Sequence, residues 1–385
     1  MNSEMPPKQL AVEAFQSRFD EEPAYVVRAP GRVNIIGEHT DYNDGFVMPM
    51  AIDRAVWIAL RPRDGDLVSV TSTDFEELAE FSLDTLSKGE GWGEYLKGVA
   101  NVLQEKGLNL NGWEGVVASD VPVGAGLSSS AALELATARA FCSVSDFDWA
   151  PRKMALLGQK AENQWVGVNC GIMDQMISAT GQDGHAVLID CRSLELKAVP
   201  LPPGTSVVVL DTATRRGLVD SAYNERRSQC ERAAEFFGAK VLRDVTSAEL
   251  KEKSQELDTL TLKRARHVIT ENERTVAASE AMQNGDADKL GELMNQSHES
   301  LKDDFEVSSN ELDTMVDAAR AQPGCLGARM TGAGFGGCAV ALVNDTEVDA
   351  FVPNVGKAYC DAADHKPSIY ICRATDGAGL ISEGN

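Results

Sequence analysis

The chain lacks most of the features that would assign it quickly. Its eight cysteines (Cys142, Cys170, Cys191, Cys230, Cys325, Cys338, Cys360 and Cys372) include no C-x-x-C pair and no cysteine–histidine spacing that suits zinc. A structural zinc and a dithiol redox motif are thereby excluded, and the scatter reads as buried thiols of a reducing compartment. No apolar run reaches the roughly 18 residues that a membrane span needs. The opening "MNSEMPPKQLAVEAF" has no basic-then-apolar signal pattern, so the expected location is cytoplasmic. Positive charge is scarce: 36 Lys and Arg stand against 59 Asp and Glu, a formal charge of -23. Such a field repels phosphate backbones and anionic lipid, which argues against nucleic-acid and membrane partners. No charged tail implies a protein partner. There is no fixed-period repeat, no low-complexity linker and no G-x-x-x-x-G-K-[ST] phosphate loop.

What is present is a chain of 385 residues, too long for one simple core and suited to two domains. "AYVVRAP", "FVMPMAI", "AVWIALRPR" and "LVSVTSTD" are β-branched or alternating and read as strands of a mixed or antiparallel sheet. "GWGEYLKGVANVLQEKG", "SSSAALELATARAFCS" and "APRKMALLGQKAENQW" have helical spacing, with the strand "GWEGVVASDVPVG" after the first of them. The pattern resets at "SVVVLDT". Residues 222–321 then read mostly as amphipathic helix, before strands return at "CAVALVND" and "SIYICRA". "VPLPPG" breaks the periodicity, so the expected division falls near Pro200 to Pro203, with α+β halves over 1–200 and 201–385. A ligand would sit in the cleft between them.

Three stretches concentrate chemistry. "GRVNIIGEHTDYNDG" (31–45) sets Arg32, Glu38, His39 and Asp41 among glycines and asparagines, where neither a strand nor a helix is favoured. "PVGAGLSSSAALELA" (122–136) puts glycines before three serines at a helix start. That arrangement is either a serine-capped helix or a site where free N–H groups and the helix dipole hold phosphate. "RMTGAGFGGCAVAL" (329–342) contains a literal G-x-G-x-x-G, but its glycines lead into a strand-like run, which opposes a dinucleotide site. Asp174 in "CGIMDQMISATGQ" is either a helix cap or a carboxylate held in an apolar frame. Glu162 reads as a solvated acid by default, Trp92 as core, and His39 as a loop histidine with a backbone partner.

In this order and spacing the three stretches resemble the signature motifs of the GHMP small-molecule kinases, and the first is similar to the galactokinase signature. "WGEYLKGV", "NCGIMDQ", "SAYNERRSQCE" and "SHESLKDDFEVSSNELD" extend the likeness over nearly the whole chain. The resemblance implies a two-domain GHMP kinase fold, with mixed sheets, packed helices and an active site between domains. The implied reaction is ATP-dependent phosphorylation of galactose at its C1 hydroxyl. Alternatives are a kinase for N-acetylgalactosamine, arabinose or a uronic acid, or a non-catalytic galactose and ATP sensor.

By the same resemblance Arg32 and Asp174 form the catalytic pair, and Glu38, His39, Asp41, Gly171 and Tyr223 hold the sugar. The loop of Gly124, Ala125, Gly126, Leu127, Ser128, Ser129 and Ser130 would wrap the phosphates. Ser130 and Glu162 would hold Mg²⁺, Trp92 would line the adenine pocket, and Gly334 to Gly337 would support the site. Departures are Ala328 and Ala333, where Ser and Gly are commoner, and a looser "DTATRRGLVDSAYN" before Tyr223.

Overall fold

A computed structural model describes residues 5–75, 77–215 and 219–383, and the side chains of 219–221 are not included. The first residues of the opening stretch, and part of the looser stretch before Tyr223, lie outside this description. The chain order begins α1 (Pro7–Phe19), β1 (Tyr25–Asn34), β2 (Phe46–Val47), β3 (Pro49–Pro62), β4 (Leu67–Ser72), β5 (Ala79–Ser82), α2 (Gly93–Glu105) and β6 (Trp113–Ser119). It continues with α3 (Ser129–Val144), α4 (Pro151–Ala161), α5 (Met173–Thr180), β7 (His185–Asp190), β8 (Leu196–Pro200) and β9 (Thr205–Asp211). The helical stretch follows as α6 (Val219–Phe236), α7 (Ser247–Lys253), α8 (Thr259–Gln283), α9 (Ala287–Ser300) and α10 (Asn310–Arg320). The chain closes with β10 (Cys325–Thr331), β11 (Cys338–Asn344), α11 (Val348–Ala363), β12 (Ser368–Cys372) and β13 (Gly379–Glu383).

The strands form a six-stranded sheet in the order β13-β1-β3-β6-β4-β5, a four-stranded sheet β10-β11-β9-β12, and a three-stranded sheet β2-β7-β8. The first sheet is mixed, because β4 runs parallel to β6 while its other pairs are antiparallel. One side of it carries α1; the other meets α3 and α5. This burial on both faces explains why β1 reads as an apolar run rather than an alternation. Val27, Ile58, Leu96, Trp113, Phe141 and Met176 share the core beneath it. A second core joins Val33, Ile36 and Met50 to Val209, Met282, Leu293 and Val340, so early and late parts of the chain bury each other.

"FVMPMAI" and "AVWIALRPR", read as two strands, differ from what is observed: most of both lies in the single strand β3. The register against β1 jumps from Pro30↔Ala55 to Arg32↔Ala51. Ile52, Asp53 and Arg54 therefore bulge opposite Gly31, and the polar Asp53 and Arg54 inside an apolar run give the appearance of a break. We propose Pro200–Pro203 as the domain division, supported by the change there from the three-stranded to the four-stranded sheet. β13 crosses back to pair with β1.

Candidate active site

The bulge sets the position of Arg32. At Gly31 an added Cβ would stand 2.7 Å from the Leu127 carbonyl oxygen, so only glycine lets β1 approach the serine loop this closely. The next residue's N–H donates to that same carbonyl at 3.0 Å. The Arg32 side chain is aimed by this contact: its Nη1 donates to the Gly126 carbonyl at 2.5 Å. Its Nε and Nη2 donate to the two oxygens of Asp174 at 2.8 and 2.6 Å, a bidentate pair.

Asp174 is the second residue of α5, not its cap. The Ser128 hydroxyl donates to its Oδ2 at 2.5 Å. Ser128 precedes α3 with φ of 61°, a left-handed backbone that serine seldom adopts, and its side chain caps no N–H. The serine-cap reading therefore fails at this residue. Its hydroxyl is spent on the carboxylate instead.

The first loop faces this pair. Glu38 is buried, and its Oε1 accepts from the Gly332 N–H at 2.8 Å and from the Arg329 guanidinium at 3.4 Å. The His39 ring nitrogens lie 2.8 Å from the Tyr42 hydroxyl and 3.2 Å from the Ala333 carbonyl. A carbonyl only accepts, so Nε2 carries the proton and Nδ1 accepts from Tyr42. Burial, with the nearby His267, pushes His39 down to about 3, and the ring stays neutral. Asp41 accepts from the Tyr42 N–H at 3.0 Å. Burial and then the Asp174 charge push Asp41 up to about 7. Gly171 packs on it so closely that an added Cβ would lie 1.7 Å from Asp41 Oδ2. The Tyr223 ring lies 5.4 Å from His39 and 5.2 Å from Tyr42, closing this side.

On the other side Glu162 begins a π-turn (Glu162–Val166) that follows α4. Burial raises its pKa despite hydrogen bonds from Cys170, Ser130 and Gln175. The default reading as a solvated acid does not hold, since Glu162 is 6% exposed.

One cavity of about 340 Å³ gathers Arg32, Glu38, His39, Asp41, Gly124, Gly126, Ser128, Ser129, Ser130, Glu162, Gly171, Asp174 and Tyr223. Ala125 and Leu127 face the second core instead and hold the loop from beneath. Trp92 does not line this cavity: its ring stacks on Phe75 at 6.2 Å and its Nε1–H donates to the Glu77 carbonyl at 3.1 Å. The late glycine loop joins β10 to β11, with a strand on both sides, so the dinucleotide reading is excluded by context. Gly332 and Ala333 from that loop line the cavity, while Gly334 to Gly337 line a neighbouring pocket with Thr214 and Arg215. Tyr95, Val168, Cys170 and Met173 also line the cavity and were not singled out from the sequence. Cys170 and Met173 adjoin residues that were, so proximity in sequence was their available signal.

Known proteins match this architecture along almost its whole length. The galactokinase galactose-binding signature covers residues 13–62, the GHMP kinase N-terminal domain 94–182 and the GHMP kinase C-terminal domain 278–361. The chain is 47% identical over 377 residues to the galactokinase of a Roseiflexus species, with 96% of each chain covered. It is 48% identical over 375 residues to that of Chloroflexus aurantiacus, again with 96% of each covered. Lactococcus lactis galactokinase, solved in complex with galactose, superposes with a TM-score of 0.92 at 36% identity, covering 96% of this chain and 98% of that one. A mevalonate kinase at 18% identity and TM-score 0.66, covering 91% of this chain and 99% of its own, shares the fold. The signature that matches includes Arg32 and the loop that faces the Arg32–Asp174 pair, and the chain belongs to the galactokinase family of the GHMP kinases.

Proposed function

We infer that the chain transfers the γ-phosphoryl group of ATP to the C1 hydroxyl of D-galactose, giving galactose 1-phosphate and ADP. The observation that carries this reading is the bidentate Arg32–Asp174 pair, set between the serine loop and the polar sugar loop in one cavity. Asp174 receives the C1 hydroxyl and accepts its proton as attack proceeds, and Arg32 supports charge on the transferring oxygens. Phosphoryl transfer passes through a loose transition state, so the placement of that hydroxyl weighs more than base strength. Glu38, His39, Asp41, Gly171 and Tyr223 hold the sugar, and the loop from Gly124 to Ser130 holds the phosphates at the start of α3. The adenine would extend toward Trp92, outside the cavity itself.

The residues present fit Mg²⁺. Among the described residues no cluster of three or more His, Cys, Asp or Glu could hold a metal by itself. Glu162 and the Ser130 hydroxyl bonded to it supply hard oxygen donors, a set that phosphate oxygens complete. When bound, the ion neutralises charge on the β- and γ-phosphates. No helix among the described residues is long and apolar enough to cross a membrane. All eight cysteines are free thiols, which supports a cytoplasmic location.

The test is a coupled ATP assay with galactose, glucose, N-acetylgalactosamine, arabinose and galacturonic acid. Galactose should be turned over fastest. Glucose should be rejected, because its inverted C4 hydroxyl leaves buried polar groups unpaired. Faster turnover of another sugar would reassign the substrate, and no turnover of any would point to a galactose and ATP sensor.

A further inference from the structure

At the back of the cavity, Glu162 from its lining meets two polar side chains, Glu134 of α3 and Gln175 of α5, in a mostly apolar layer between α3, α4 and α5. Gln175 and Glu134 are both fully buried. Gln175 follows Asp174 on α5, but its side chain turns away from the cavity. Its amide nitrogen lies 2.6 Å from Glu162 Oε2 and 3.0 Å from Glu134 Oε2. An amide NH₂ has two hydrogens in one plane, so a single group donates to both carboxyl groups and fixes the angle between them. The Cys170 thiol approaches the same Glu162 oxygen at 3.1 Å.

This arrangement is poorly suited to stability alone. Glu134 Oε1 and Gln175 Oε1 have no hydrogen-bond partner although both are buried. Leaving such atoms unpaired opposes folding, and an apolar trio of the same volume would avoid it. Helix α4 comes close at Gly158, where an added Cβ would lie 3.2 Å from Gln175 Cγ and 3.5 Å from Glu134 Oε2. The amide therefore has little room to swing. Its donor end is directed at the back of Glu162, whose carboxylate also bonds to the Ser130 hydroxyl.

We propose that Gln175, itself oriented by Glu134, is a positioning residue that holds the Glu162 carboxylate in place for the metal ion. The proposal rests on the reading of Glu162 as a magnesium ligand. Outer partners of a ligand commonly alter metal affinity by about 10–100-fold when removed.

The experiment uses the full chain with ADP and titrates Mn²⁺, followed by electron paramagnetic resonance, for wild type, Gln175→Met, Glu134→Gln and Glu162→Gln. Galactose affinity is measured on each by calorimetry. Gln175→Met keeps volume and removes the donor, so Mn²⁺ binding should weaken by about tenfold or more. The Mg²⁺ concentration for half-maximal activity should rise in step, while galactose affinity stays within about twofold. Glu134→Gln keeps an acceptor oxygen toward Gln175 and should bind Mn²⁺ within about threefold of wild type. Wild-type Mn²⁺ affinity in Gln175→Met, with a loss in Glu162→Gln, overturns the positioning role and leaves the metal reading standing. Equal losses of Mn²⁺ and galactose affinity in Gln175→Met also overturn it, since a loosened α5 would do the same. Wild-type Mn²⁺ affinity in Glu162→Gln removes the metal reading and the proposal with it. Should Gln175→Met fail to fold, Gln175→Leu, which also removes the donor, carries the same expectations.

Discussion

The two sides of the cavity are fixed by different means. The sugar loop is pinned from residues more than 200 positions away. His267 Nε2 lies 3.1 Å from the Glu38 carbonyl, the Gly37 N–H donates to Glu271 at 3.0 Å, and the Phe46 N–H donates to Asn272 at 2.8 Å. Glu271 accepts in turn from Ser297 at 2.6 Å and from Arg274 at 2.8 Å. Burial pushes Glu271 up, but Arg274, His267 and Arg329 outweigh it and hold the carboxyl at about 2. The serine loop is anchored through the Arg32–Asp174 pair itself: Arg32 bonds to the Leu127 and Gly126 carbonyls, and Ser128 bonds to Asp174. Its tip is open, with Val123 63% exposed. A polyol must be read hydroxyl by hydroxyl, and that demands polar groups set before it arrives. A phosphate needs N–H groups and a helix dipole, which tolerate a looser frame.

The sharpest way to break this contrast is Asp174→Asn. The substitution sets an amide where Arg32 and Ser128 donate and removes the charge that, in the proposed reaction, receives the C1 hydroxyl. The turnover number should fall on the order of 10³-fold. Because the serine loop hangs on this pair, affinity for an ATP analogue should fall too, while galactose affinity stays within a few-fold by calorimetry. Near-normal turnover would remove Asp174 from the reaction, and an unchanged analogue affinity would detach the serine loop from the pair.

Changes on the sugar side should act in the opposite sense. Asp41→Ala removes a charged acceptor, which typically costs about 1.5–3 kcal/mol, or roughly 10–150-fold in galactose affinity. Gly171→Ala should have a similar but smaller effect, because its Cβ would displace the Asp41 carboxylate rather than delete it. Both variants should bind the ATP analogue as wild type does. Retained galactose affinity in either one would mean that Asp41 is not a sugar contact.

Much of this contrast was legible before the fold was known. Residues 35–45 announce themselves because charged side chains among glycines fit no regular element, whereas Gly31–Asn34, Arg32 among them, continue strand β1 against that expectation. The glycine–serine loop is marked by its place before a helix. The anchors were not legible. His267 and Glu271 lie on α8, where charged residues at helical spacing look like a solvated face, yet both are fully buried. Their role depends on which face of α8 meets the sugar loop, and spacing along one helix does not contain that information. Ser128 was recognisable as part of a phosphate loop, but its left-handed backbone, which turns the hydroxyl to Asp174, depends on α5 arriving from elsewhere. Resemblance assigns Trp92 to the nucleotide; its ring stacks on Phe75 and does not line the cavity, a placement that depends on Phe75 and Glu77 arriving from another segment. The division of β3 into two strands came from a bulge whose cause, Gly31 pressed against Leu127, lies on other elements.

The smallest expected effect is also the one that separates the two sides most cleanly, because it follows pH. Asp41 is raised to about 7 by burial and by the Asp174 charge, whereas His39 is lowered to about 3 and stays neutral throughout the useful range. If Asp41 holds the sugar as proposed, hydroxyls donate to its ionised carboxylate, and galactose affinity should rise from pH 6 to pH 8. One proton limits the slope to about tenfold per pH unit below 7. Stability should run the other way. An unfolded chain releases the Asp41 proton in the ordinary carboxylate range and the folded protein keeps it to about 7, so the folded state binds more protons between the two. The Asp41 contribution to stability therefore falls as pH rises to about 7, and galactose binding strengthens over the same interval. Calorimetry with galactose, set beside thermal unfolding across that range, reads both trends on one protein. In Asp41→Asn the two Asp41-dependent trends should flatten together. A galactose affinity in wild type that does not change between pH 6 and pH 8 would show that no proton at Asp41 stands between the sugar and its loop.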